Sequence, residues 1–194
     1  DRPFAVVPNG IDSEAYVTGS AREKDPKLVL CAARIEGIKN QLNLIRAMNN
    51  TAYRLVLAGE PAPGQQAYYE ACRRTAAANI CFTGYLPREA LYAWYAKAKV
   101  HVLPSWFELC GLSSLEAAAM DCSVVVSPNG YAKDYFGDEA LYCDPGSTAS
   151  IFQAVEKAAE MPLNPALANR VIQSYNWDNA AEKIAAVYKN ILPV

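Results

Sequence analysis

Two carboxylates and two cations carry most of the chemistry this sequence offers. Glu108 and Glu116 bracket a loop-to-helix junction within Leu103-Pro-Ser-Trp-Phe-Glu-Leu-Cys-Gly-Leu-Ser-Ser-Leu-Glu-Ala-Ala-Ala-Met120. An apolar run ends at Pro104, and a Leu- and Ala-rich segment of good helix formers follows Gly111. Strand, short loop, helix is the layout that aims free helix N–H groups at a ligand. On a helix Glu116 shares a face with Leu112, Ala119 and Met120, and no basic residue of that helix can pair with it. A carboxylate on an apolar face is costly unless something hydrogen-bonds to it. It is either solvated on a partly exposed helix or held for a ligand.

Arg34 and Lys39 stand at the two ends of another strand-to-helix loop, with Arg34 directly ending an apolar strand. Two solvated basic side chains are the ordinary outcome. Facing a helix N-terminus near residues 110–113, however, they would make a diphosphate site. The guanidinium chelates oxygens, the ammonium adds a point charge, and free backbone N–H groups complete the cradle. Such a site needs no divalent metal, and the sequence has no Asp-x-Asp to hold one. We expect neither a metal nor a cofactor.

Other chemistries fit less well. The loop after the first clear strand has one glycine, Gly37, where a dinucleotide fingerprint needs G-x-G-x-x-G, and the P-loop pattern is missing. Ser105, Ser113 and Ser114 lack a nucleophile-elbow context. His101, among valines, reads as a satisfied core residue, and Tyr92, Trp94 and Tyr95 read as helix packing. Trp177 reads as the anchor of the last helix. Six cysteines lie singly with no C-x-x-C and only one histidine, which argues against zinc and for buried reduced thiols in a cytoplasmic protein. Cys110, at a helix N-terminus, is expected to be acidified. A formal charge of −2 gives no basic excess for nucleic acid. No apolar run is long enough to span a bilayer.

The elements that must position these residues alternate. Strands are expected over 4–7, 27–34, 53–59, 80–84, 100–103, 122–127 and 140–143. Helices are expected over 41–50, 65–77, 88–98, 111–120, 147–161, 166–175 and 177–191, with a polar surface connection over 13–25. Near-continuous apolar strands alternating with helices imply an α/β, Rossmann-like parallel sheet with helices on both faces, as a single domain over 1–194. Ligands of such sheets bind beyond the strand carboxyl ends, near a switch point in strand order. Those ends are residues 34–39, 59–60, 84–85, 105–111 and 128–130.

Taken in order, these motifs resemble the donor-binding half of a retaining glycosyltransferase of the GT-B fold, the group 1 family (family 4). Val7-Pro-Asn-Gly-Ile-Asp12 resembles its opening turn, and Ala33-Arg-Ile-Glu-Gly-Ile-Lys-Asn40 its Arg…Lys phosphate loop. Leu57-Ala-Gly-Glu60 and Phe82-Thr-Gly-Tyr-Leu86 resemble its base-side strand ends. Glu108 and Glu116 match its E-x7-E signature, and Val124-Val-Val-Ser-Pro-Asn-Gly130 and Ser174-Tyr-Asn-Trp-Asp178 match later landmarks. The resemblance implies a UDP-, GDP- or ADP-linked sugar donor. Arg34 and Lys39 would neutralise the diphosphate in place of a metal. The N–H groups around Cys110, Gly111 and Leu112 would hold the distal phosphate. Glu116 would accept both ribose hydroxyls, Glu108 would hold hydroxyls of the transferred sugar, and Gly84 and Leu86 would flank the base. It also implies an amino-terminal acceptor-binding domain that this chain lacks, so that the chain binds donor without turnover. That domain would be the part to meet a glycan or lipid-linked acceptor and a membrane surface. A sugar-nucleotide epimerase, a glycoside phosphorylase or a non-catalytic domain would share the fold. The sequence departs from the family at Glu108-Leu-Cys-Gly111, usually Glu-Gly-Phe-Gly, and at Asn129-Gly-Tyr131 with Asp134, usually Gly-Gly followed by Glu.

Overall fold

A computed structural model of the chain describes residues 4–16 and 23–191. Six strands form one sheet in the order β3-β2-β1-β4-β5-β6, every neighbouring pair parallel. They are β1 (Asp25–Ala32), β2 (Arg54–Ala58), β3 (Ile80–Gly84), β4 (Ala98–Leu103), β5 (Ser123–Val126) and β6 (Leu141–Tyr142). The central strands are the most apolar because they are covered on both faces. All of β4, the last five residues of β1 and the last four of β2 are buried.

Helices α1 (Gln41–Met48), α2 (Gln66–Thr75), α3 (Arg88–Lys97), α4 (Leu112–Ala119), α5 (Ala132–Phe136), α6 (Thr148–Glu160), α7 (Pro165–Ser174) and α8 (Trp177–Ile191) connect and cover the strands. Helix α6 lies over β1, β4 and β5 and packs on α1, while α4 lies over β4 and β5 and packs on α7. Ser147 caps α6 as its sequence suggests, its side chain accepting from the N–H of Ser150 at 3.2 Å. Among the described residues no helix is long and apolar enough to cross a membrane. The parallel Rossmann-like sheet read from the sequence is the observed one, and its order reverses between β1 and β4. The loops after those two strands carry Arg34, Lys39 and Glu108.

Three expectations need correction. Residues 4–7 are not a strand: Phe4 and Val6 are 90% and 78% exposed. A strand needs a ladder, and this segment instead runs past Tyr131, Tyr135 and Tyr175. Trp177 is 53% exposed and does not anchor α8. The junction is fixed by backbone: the Ile11 N–H donates to the Tyr175 carbonyl at 2.7 Å, and Gly10 lies where a Cβ would stand 2.3 Å from the Asn176 carbonyl carbon. Helix α5 was not foreseen, being too short to show a period. Of the connection over 13–25, residues 13–16 form a 3-10 turn, and 17–22 lie outside the described residues.

One polar pair sits inside the core. His101 on β4 is wholly buried, with Nε2 3.1 Å from Ser114 Oγ on α4. Its Nδ1 has no partner among the described residues, so only one of its two nitrogens is satisfied. Burial pushes its pKa down to about 3. The unfolded chain's imidazole protonates near its ordinary 6.5, so between those values the unfolded state binds more protons. The resulting stability is complete above pH 6.5 and is lost as pH falls toward 3. Between pH 7 and 5 this group should cost about 2 kcal/mol. His101→Gln should remove that share of the acid slope in urea unfolding at the two pH values. Equal slopes in both proteins would contradict it.

Candidate functional site

The loops at the switch point are tied together by one buried side chain. Asn40, 3% exposed, follows a 3-10 turn over Gly37–Lys39 and adopts φ 61°, the left-handed conformation that Asn tolerates better than most residues. Its Nδ2 donates to the Pro104 carbonyl at 3.0 Å and the Pro145 carbonyl at 2.8 Å, linking the loops after β1, β4 and β6. The Trp106 N–H donates to the Ile38 carbonyl at 2.8 Å, and Gln41 Nε2 to the Arg34 carbonyl at 2.8 Å. The 34–39 loop is thereby held against the 104–111 loop.

This arrangement brings Lys39 to Glu108. Lys39 Nζ lies 2.5 Å from Glu108 Oε2, with both side chains more than four-fifths buried, and Ser105 Oγ donates to the same oxygen at 3.2 Å. The backbone of Glu108 is clamped as well. Its N–H donates to the Asn129 carbonyl at 3.1 Å, and its carbonyl accepts from the Tyr131 N–H at 3.0 Å. Gly130 sits in this clamp at φ 102°, where an added Cβ would be 2.0 Å from the Glu108 carbonyl oxygen. The departure at Asn129-Gly-Tyr131 therefore keeps the one glycine that the close approach requires.

Gly111, at φ 64°, is the N-cap of α4 and offers no side-chain cap. Among the described residues no hydrogen bond reaches the N–H groups of Gly111, Leu112 or Ser113. Those donors border a cavity of about 320 Å³ whose wall also includes Arg34, Lys39, Glu108, Cys110 and Asn9. Arg34 reaches outward, its side chain 69% exposed, with Nη2 3.1 Å from Glu36 Oε1. That contact is ionic, since Glu36 Oε1 makes no aligned hydrogen bond. Cys110 is not acidified. Burial pushes its thiol up, outweighing hydrogen bonds with Tyr135 and Asn9. The helix terminus does not offset this, because the thiol is shut from water at 8% exposure.

A second cavity, about 360 Å³, adjoins the first along Ala32, Ala33, Arg34 and Ser113. Glu116 lines it half-buried, opposite Gly59, Glu60, Tyr85 and Leu86. Tyr95 Oη donates to Glu116 Oε2 at 3.0 Å. Leu112, on the stripe with Glu116, is 40% exposed, so that helix face forms one wall of a cleft. Gly84 stands behind the opposite wall, its carbonyl accepting the Gly59 N–H at 2.9 Å, while Tyr85 and Leu86 face the cavity. All nine expected site residues except Gly84 thus line one continuous cleft. Sequence reasoning placed residues 105–111 and 110–113 at the site but assigned no role to the side chains of Asn9, Asn40 and Ser105, and it missed the polar role of Tyr95. Only Asn40 carried a local signal, an Asn where a turn meets a helix.

The cleft joins a cationic, N–H-lined end to a largely apolar end that carries the carboxylates of Glu60 and Glu116. That division suits a ligand with a charged diphosphate, a hydroxylated ring and a flat base. The sequence model of one protein family, described as glycosyl transferases group 1, matches residues 12–176. The O-antigen chain mannosyltransferase B of Escherichia coli is 27% identical over 160 residues, 80% of this chain and 42% of its own length. The glycogen synthase of Mycobacterium tuberculosis is 27% identical over 198 residues, 95% of this chain and 48% of its own. The chain spans about half the length of the curated relatives it matches. Among solved structures, Anabaena Alr3699/HepE in complex with UDP and glucose superposes with a TM-score of 0.78 at 18% identity, over 96% of this chain and 57% of that one.

Proposed function

This chain belongs to the glycosyl transferases group 1, and we propose that it is the nucleotide-diphosphate-sugar-binding domain of a retaining glycosyltransferase that works without a metal. The observation that carries the reading is the convergence, along one cleft, of Lys39 and Arg34 with the N–H groups of Gly111, Leu112 and Ser113, which find no partner among the described residues, ending at Glu116. The diphosphate lies between the two cations and the α4 N-terminus, where fixed positive charge and backbone donors meet it in a partly water-excluded site. Glu116 accepts ribose hydroxyls. Tyr85, Leu86 and Gly59 form the walls around the base, with Gly84 behind them. Glu108 takes hydroxyls of the donor sugar.

In the reaction the bond from the anomeric carbon to the diphosphate oxygen breaks. Lys39 and Arg34 meet the negative charge that develops on the leaving group, an electrostatic contribution to rate. The acceptor hydroxyl forms the new bond from the face the nucleotide leaves, and its proton passes to the departing phosphate. Configuration is retained without a covalent enzyme intermediate. The acceptor, a glycan or a lipid-linked sugar, would be presented by an amino-terminal domain, which is also the part that would rest on a membrane surface. This half then binds donor in the cytoplasm without turning it over.

Thermal unfolding with UDP, GDP, ADP and their sugar conjugates tests the reading. One nucleotide series should raise the midpoint, with a stabilisation of about 2.7 kcal/mol at a hundredfold excess over Kd. No shift with any of them overturns it.

A further inference from the structure

Tyr95 is the residue whose surroundings ordinary packing does not explain. It lies on the last turn of α3, at a spacing with Tyr92 that reads as helix packing, and its ring is wholly buried. Its hydroxyl nevertheless reaches the cleft wall and donates to Glu116 Oε2 at 3.0 Å across 21 residues of sequence. Both residues line the same cavity. The ring also stands edge-on to His101, with centroids 6.1 Å apart, and His101 in turn meets Ser114 in the first turn of α4. Tyr95's own carbonyl is gripped by Lys24 Nζ at 2.8 Å and by Cys122 Sγ at 3.2 Å. Main chain and ring are fixed, so the hydroxyl has little freedom except to point at the carboxylate.

We infer that Tyr95 is a positioning residue for ribose recognition: its hydroxyl holds the Glu116 carboxylate in the plane and rotamer that face the sugar of a nucleoside diphosphate. The inference rests on the proposed nucleotide site and adds to it a specificity for ribose over deoxyribose. Glutamate on an exposed helix samples several rotamers, and ordering such a side chain on binding costs free energy. A donor fixed from behind removes most of that cost before the ligand arrives. The geometry is also compatible with simultaneous ligand binding. An ionised carboxylate offers about four acceptor positions, so one donor from Tyr95 and two from a ribose diol fit on the same group. A carboxylate built to accept hydroxyl hydrogens discriminates strongly against an analogue that lacks one, because its acceptor is then left unpaired in a desolvated site.

Tyr95→Phe is the probe, since it deletes one oxygen and keeps the buried ring. Calorimetry would compare binding of a ribonucleoside diphosphate and its 2′-deoxy analogue, using the base that the parent protein binds best. The variant should bind the ribonucleotide about five- to tenfold more weakly while the 2′-deoxy analogue, which keeps one of the two hydroxyl contacts, loses less, so the ratio between them shrinks. In a Glu116→Ala background the same change should have no further effect on either ligand, because the two residues act as one unit. An equal loss for both ligands marks a purely structural tyrosine and overturns the inference. So does an additive effect in the Glu116→Ala background. Failure of the parent protein to bind any nucleotide sinks the site itself, which is a different result from an unchanged ratio in the variant.

Discussion

Lys39→Ala should weaken binding of the preferred nucleoside diphosphate about a hundredfold, and Glu108→Gln should strengthen it. The opposite signs follow from the shared ion pair. Lys39 and Glu108 are joined at 2.5 Å, and each side chain is more than four-fifths buried. A charge-assisted hydrogen bond from Lys39 to a phosphate is worth about 1.5–3 kcal/mol. Deleting Lys39 removes it and also leaves the Glu108 carboxylate unneutralised beside the incoming anion. Together these amount to about 2.8 kcal/mol, at 1.4 kcal/mol for each factor of ten. Glu108→Gln instead removes a competitor for the ammonium. The free nucleotide should then bind severalfold tighter, while the extra affinity contributed by the attached sugar disappears. Arg34→Ala should cost only about tenfold, since that side chain is 69% exposed and solvent screens its charge. Calorimetry with the nucleotide and its sugar conjugate separates these outcomes. If Lys39→Ala binds within twofold of the parent, or Glu108→Gln weakens the bare nucleotide, the phosphates lie elsewhere.

How much of this was legible in the sequence depends on the range of the interaction. The sheet was readable because burial on both faces writes itself as runs such as Leu28-Val-Leu-Cys-Ala32 and Leu55-Val-Leu-Ala58, with no alternation to confuse them. The alternation of strands with helices then pointed to the loops at the carboxyl ends beside the switch point, where sheets of this kind bind ligands. The apolar run at residues 4–7 misled for the converse reason. Its residues have strand propensity but no neighbouring strand, and pairing partners cannot be read from propensity. The site's own polar contacts span 21 residues for Tyr95 and Glu116 and 69 for Lys39 and Glu108. Nothing local announces such a meeting. Glu116 could therefore be singled out as a carboxylate in need of a partner, while the partner stayed hidden among aromatics that look like packing. Cys110 shows a competition that position alone does not decide. A helix N-terminus lowers a thiol's pKa and burial raises it, and here burial prevails.

Gly130→Ala is the substitution outside the cation pair with the largest expected effect, and it tests whether the clamp on Glu108 shapes the sugar end of the cleft. Two costs add. At φ 102° any residue with a Cβ is strained, and the Cβ itself would stand 2.0 Å from the Glu108 carbonyl oxygen, 2.9 Å from its carbon and 3.0 Å from its nitrogen. All three are backbone atoms, so no side-chain rotation can relieve the clash. The chain must instead open the bridge between Glu108 and Gly130, which is flanked by the Glu108–Asn129 and Tyr131–Glu108 hydrogen bonds at 3.1 and 3.0 Å. We expect a loss of about 3 kcal/mol in denaturant unfolding. Gly64→Ala is the internal control. That glycine is also in the left-handed region, at φ 76°, but an added Cβ meets nothing within 4 Å. It should cost only the conformational strain, about 1–2 kcal/mol. The excess of the first over the second measures the close approach. Because the opened bridge carries Glu108 away from Lys39 and Ser105, Gly130→Ala should also, like Glu108→Gln, bind the bare nucleotide at least as tightly as the parent while losing the increment from the attached sugar. The helix N-terminus and Lys39 remain in place to hold the phosphates. Equal destabilisation by the two alanines, or an intact sugar increment in Gly130→Ala, would show that the Asn129–Tyr131 turn does not govern where Glu108 points.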